Sequence, residues 1–264
     1  MQPSRQPGCF AAQEELAALG FRIASSGPHT GKTLMLSELT SLFEAVEPSA
    51  SSAHYRQAIV EGNVLGKPTA SSRKETATRL KALYGLSPAL PLFRVLRRLW
   101  ALDSDASPLL ALLSGLARDP LLRASADQVI PMRPGMTLMR ADMVTAIEHF
   151  TRDRLGSKML DAVARNTASS WTQSGHLRGK VCKKRIPVEP CSAALSLSLW
   201  LGYAEGRRGK GLLSSFWTSV LDLPTSALIG EILHAKRLGL IEASYGAGIL
   251  SINPSRLDPE AGDA

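Results

Sequence analysis

The stretch from Gly156 to Pro190, GSKMLDAVARNTASSWTQSGHLRGKVCKKRIPVEP, constrains the fold of this chain more than any other. Met159, Leu160, Val163 and Trp171 recur at helical spacing, so a long helix is expected from about Lys158. Ser174-Gly175 breaks that period. From His176 to Val188 apolar and basic residues alternate, and Pro187 and Pro190 close the run. That pattern predicts a two-stranded wing, with Val181 and Ile186 turned to the core and the lysines turned out. A helix followed by a hairpin-capable basic arm is a way to present cations to a phosphate backbone.

The charge distribution points to the same segment. Residues 151 to 210 hold twelve Lys/Arg against four Asp/Glu, a surplus of eight, which equals the net charge of the whole chain. Elsewhere the charges cancel, nineteen against nineteen. An excess gathered in one region favours an anionic partner. The arm supplies Arg178, Lys180, Lys183, Lys184 and Arg185. The polar face of the preceding helix offers Lys158, Arg165, Asn166 and Gln173, residue types that bond phosphates and base edges. A flexible loop, GRRGKG, adds a second patch of Arg207, Arg208 and Lys210.

The rest of the chain reads as helices punctuated by caps, glycines and prolines. A short helix is expected from Ala11 to Leu19, ended by Gly20. Thr30 or a neighbour is expected to cap a helix whose apolar face includes Leu34, Leu36, Leu39, Leu42 and Phe43. Thr69, Ser71 or Ser72 opens a helix running to Tyr84 and stopped by Gly85. Helices follow at Pro91–Leu102 and from Ser107 to about Ala117, and a third starts at Asp119-Pro120, a good N-cap pair. Trp100 shares a face with Leu96 and Phe93, which makes it core. After the turn at Met132–Thr137 helices are expected at Arg140–Phe150, Cys191–Tyr203, Leu212–Leu221 and Thr225–Leu238. Alternation around Gly246–Gly248 then predicts a hairpin.

The fold class expected is mainly α: an N-terminal helical bundle over residues 1–135, then basic winged-helix-like units with short β-hairpins over 136–264. Helix, tight turn, helix, hairpin is the order of a winged helix-turn-helix.

Several chemistries fit poorly. Gly27, Gly31, Lys32 and Thr33 resemble a phosphate-binding loop, but the first glycine stands one residue too close to wrap phosphates. Cys9, Cys182 and Cys191 contain no close pair, so neither zinc nor a disulfide framework is expected. His149 is a lone histidine without an identifiable catalytic partner. No cofactor or metal, no catalytic residue and no membrane partner are expected. The N-terminus lacks an apolar signal core and the longest apolar run, near Ala193–Tyr203, is too short to span a bilayer, so a cytoplasmic protein is expected.

An ordered set of segments resembles a known family. YRQAIVEGNVLGKPTASSRKETATRLKALYG at Tyr55–Gly85, LFRVLRRLW, ARDPLLRASA and SSWTQSGHLRGK resemble the BrxA family of BREX phage-defence systems. The resemblance extends from about Tyr55 to the C-terminal hairpin. This chain departs from the family by extra N-terminal sequence and a longer basic arm. The resemblance implies a mostly helical, non-enzymatic protein with winged-helix parts that binds DNA, and it carries over no catalytic residues. Duplex DNA is therefore the first partner expected, with other defence proteins as further partners. The competing readings are a protein–protein adaptor and an RNA-binding protein.

Overall fold

The computed structural model describes residues 7–22, 33–152, 154–246, 249–258 and 260. The chain is mainly helical, with two short antiparallel sheets of two strands each. The first half carries α1 (Pro7–Ala18), α2 (Leu36–Ala45), α3 (Ser52–Val60), α4 (Ala70–Tyr84), α5 (Pro91–Leu102) and α6 (Ser107–Arg118). Two short helices follow, α7 (Pro120–Ala124) and α8 (Ala126–Val129). Next come α9 (Arg140–Thr151), α10 (Ser157–Gln173), β1 (Leu177–Arg178) and β2 (Lys184–Arg185). The last stretch holds α11 (Ser192–Ala204), α12 (Lys210–Leu213), α13 (Phe216–Ser219), α14 (Thr225–Arg237), β3 (Glu242–Gly246) and β4 (Ile249–Asn253). A 3₁₀ turn at Ser255–Leu257 follows β4.

Local chemistry sets most helix ends. Thr69 caps α4 in a reciprocal pair with Ser72, and Gly85 stops it at a φ of 84°, a conformation that glycine adopts without a Cβ penalty. Asp119 accepts hydrogen bonds from Leu121 N at 3.0 Å and Leu122 N at 3.2 Å, opening α7. Burial pushes that carboxyl up to about 6 against the pull of the two amides.

Two expected helices differ. The segment expected as one helix over Leu212–Leu221 is two single turns, because Ser215 caps a new start by accepting from Thr218 N at 3.3 Å. The helix expected near Thr30 begins at Leu36, after Met35 takes a left-handed conformation with φ 53°. The glycine- and lysine-bearing loop at Gly27, Gly31 and Lys32 lies outside the described residues, as does Thr30.

The centre of the fold is α11. Its residues from Ser192 to Gly202 are all buried, as a helix that is apolar all round must be. It packs against α5, α6, α13 and α14. Buried side chains from Phe21 to Leu257 form one hydrophobic cluster that runs past the turn at 131–139. Trp100 is in it, with its ring 5.0 Å from that of Phe43. No helix among the described residues is long and apolar enough to cross a membrane.

Two winged-helix-like arrangements, each of helices followed by a short hairpin, follow one another in the second half. In the first, α9 and α10 pack together and against α7. Residues 135–138 run antiparallel to β2: Gly135 N donates to Arg185 O, Arg185 N to Met136 O and Leu138 N to Lys183 O, each at 2.8 Å. The order is then helix, strand segment, helix, helix, and a hairpin whose second strand lies between its partners. Its first helices, α7 and α8, lie before residue 135. In the second arrangement α11 packs on α13 and α14, and the β3–β4 hairpin follows α14.

Candidate nucleic-acid interface

Helix α10 packs on α9 and leads directly into the β1–β2 hairpin. Leu160, Val163, Ala164, Thr167, Ala168 and Trp171 bury one face. Lys158 and Arg165 project from the other into solvent, and neither forms an ion pair among the described residues. Asn166 is half-buried on the flank of that face.

Gln173 does something else. Its Oε1 accepts from Leu36 N at 3.1 Å. Helix α2 has no side-chain cap of its own, so Gln173 satisfies one of its orphan amides from 137 positions away. Its carbonyl oxygen is thus engaged in the fold rather than facing a base.

The β1–β2 wing sorts its cations by strand parity. Register pairs Leu177 with Arg185 and Arg178 with Lys184. Successive side chains point to opposite faces, so Leu177 and Arg185 go inward while Arg178 and Lys184 go out. This corrects the expectation for Arg185. Only 2% of it is exposed, its Nε donates to Val129 O at 3.1 Å, and its guanidinium also bonds Ile186 O and the Asp222 carboxylate. A buried, paired guanidinium is not available to phosphate. The expectation for Val181 is corrected as well: it stands 91% exposed at the wing tip. The tip turns out of the ladder at Gly179, so the strand alternation does not extend to it.

Lys183 ties the wing to the helix. Its Nζ donates to Thr172 Oγ1 on α10 at 2.8 Å, and partial burial lowers its pKa. Between the wing, α10 and the start of α9 lies a cleft of about 890 Å³. Arg140, Arg165, Lys180 and Lys183 line it, and among the described residues no carboxylate does. Arg140 is offset from outside by Asp161 at 2.7 Å. Arg140 is the cation that sequence reasoning missed; only its place beside the strand segment at 135–138 brings it here.

Behind the wing, His176 is fully buried, with Nε2 donating to Val220 O at 2.8 Å. Burial lowers its pKa to about 4, so it is neutral there. Asp222 receives both Arg185 and the Val188 amide, the latter at 3.0 Å. These bonds brace the first wing against the turn before α14.

The second basic patch does not line the cleft. Arg207 and Arg208 lie in the loop after α11, Lys210 opens α12, and all three are exposed. Arg208 folds back, with its guanidinium 3.6 Å above the Tyr203 ring and a 2.7 Å bond to Tyr203 O. His149 lies in a different cleft, near Phe150, Arg123 and Glu205.

No protein-family model matches this chain, and no curated protein matches it at a significant level.

Proposed function

We propose that this chain is a non-enzymatic protein that binds duplex DNA mainly through phosphates, as an accessory protein of a BREX-like bacterial phage-defence system. The defence setting rests on the resemblance of its segments to the BrxA family. The DNA reading rests on one observation above all. Arg178 and Lys184 stand directly opposite each other on the open face of the wing, with no counter-ion among the described residues. Like charges facing across a strand pair are destabilising. A polyanion laid across them turns that repulsion into attraction, and the cleft lined by Arg165 and Lys180 continues the same field. In this reading α10 lies along the major groove and the wing holds the backbone beside it. Arg165 and Asn166 are the residues placed to meet base edges, and Lys158 meets phosphate at the start of the helix. Arg207 and Lys210 form a separate contact on the later loop.

The test is a binding titration with duplex DNA, single-stranded DNA and RNA competitors over a range of salt. Each neutralised phosphate on duplex DNA contributes about 0.9 to the negative slope of log affinity against log salt, so changing Arg178, Lys180 and Lys184 together to Ala is expected to flatten it by about 2.7. An unchanged slope and affinity would remove the wing from the interface. Preference for RNA over duplex DNA at every salt would replace DNA as the partner.

A further inference from the structure

The first wing places an apolar side chain where a cation would be expected. Val181 is more exposed than any other large apolar residue among those described, at 91%. A tip that leaves a valine in water forgoes the gain of burying it. The tip is also a tight turn. Gly179 sits at φ 118°, and a Cβ there would overlap the Cys182 carbonyl oxygen. Lys183 anchors the turn to α10 through Thr172. Exposed Lys180 and Lys184 flank the valine, with Arg178 across the hairpin. The second wing differs: Tyr245 and Ile249 are exposed, but no Lys or Arg lies between Glu242 and Ser251.

We propose that Val181 is an apolar wedge that enters the minor groove of duplex DNA, a step that rests on the DNA-binding reading above. The chemistry of the tip favours this groove, because proteins that bind the minor groove combine Lys or Arg with an apolar side chain inserted between base steps. Inserted apolar side chains partly unstack base steps, and cations on either side hold the two phosphate rails. Exposed Lys180 precedes Val181 in the chain and exposed Lys184 follows it, and these are the cations assigned that task.

The test uses duplexes of one sequence that differ only in the minor groove. Replacing guanine by inosine removes the 2-amino group there, and replacing adenine by 2,6-diaminopurine adds one; the major-groove edges are unchanged. Wild-type protein is expected to bind the inosine duplex about tenfold more tightly than the diaminopurine duplex, the usual size of one unfavourable base-pair contact. Val181→Ser, at a position open to solvent, is expected to fold normally and to lose that preference while keeping the salt slope. Equal binding of both duplexes by wild-type protein, or an unaltered preference in Val181→Ser, overturns the wedge and leaves the phosphate reading standing. Failure to bind any duplex overturns both.

Discussion

The guanidinium of Arg185 donates to Val129 O, Ile186 O and the Asp222 carboxylate, and only 3% of its side chain is exposed. Asp222 in turn accepts from the Val188 amide, so the pair joins β2, α8 and the turn ahead of α14. Lys184, one position earlier, points to solvent. The two cations therefore have separable roles. Removing one partner of a buried ion pair leaves the other desolvated and unpaired, so Arg185→Ala is expected to cost about 3 kcal/mol of stability. Urea denaturation reads that loss as a lower midpoint. The folded fraction of Arg185→Ala should keep the wild-type salt slope for DNA, while Lys184→Ala should lose about 0.9 of it. Wild-type stability in Arg185→Ala together with a shallower slope would return Arg185 to the phosphate set.

At the scale of elements, the wing has little of its own to hold it. Two residues per strand cannot fix a hairpin in water, and two attachments make up for this. One is the ladder to residues 135–138 and the other is the Lys183–Thr172 bond. Thr172→Val keeps the shape of the side chain and removes the acceptor. Thr172 Oγ1 also donates to Ala168 O at 2.9 Å, so the substitution loses two partly buried hydrogen bonds and should cost about 2 kcal/mol. The expected signature is local: faster amide exchange at 179–183 and weaker DNA binding, with exchange in α11 unchanged. Slow exchange at the wing tip of Thr172→Val would show that the ladder alone suffices. The same elements show what could be read from the sequence. Helices α4, α5, α7 and α14 were legible because caps, N1 prolines and stop glycines act within a few residues. The basic arm was legible as a hairpin for the same reason. Its inward residue was not, because parity depends on a register that a two-residue strand does not display. The strand segment at 135–138 pairs with residues nearly fifty positions on, and Gln173 caps a helix 137 positions away. Such partners have no local signature.

Across the whole molecule the question is whether the helical half and the two winged units stand or fall together. Helix α11 comes late in the chain yet packs on α5 and α6, and the buried cluster is continuous from Phe21 to Leu257. The C-terminal segment adds a clasp. Arg94 on α5 grips Asp258 with two bonds, Nε to Oδ1 at 2.7 Å and Nη2 to Oδ2 at 2.8 Å. Leu257 beside it is fully buried, and Arg98 bonds the carbonyl oxygens of Arg256 and Leu257. The hydrogen bond to Asp258 raises the Arg94 pKa, which keeps the guanidinium charged. A paired bidentate contact of this kind links the last residues of the second winged unit to the first half. Unfolding is therefore expected as one transition, with calorimetric and van't Hoff enthalpies equal and with secondary structure and tryptophan signals lost together. Asp258→Ala leaves Arg94 with only its bond to Pro88 O and its partner Glu260, which is mostly exposed. It is expected to lower the midpoint of that single transition by about 3 kcal/mol without dividing it. Two separated transitions in the wild-type protein would instead mean that the halves fold independently around the turn at 131–139. In that case Asp258→Ala should shift only the transition that carries the second winged unit.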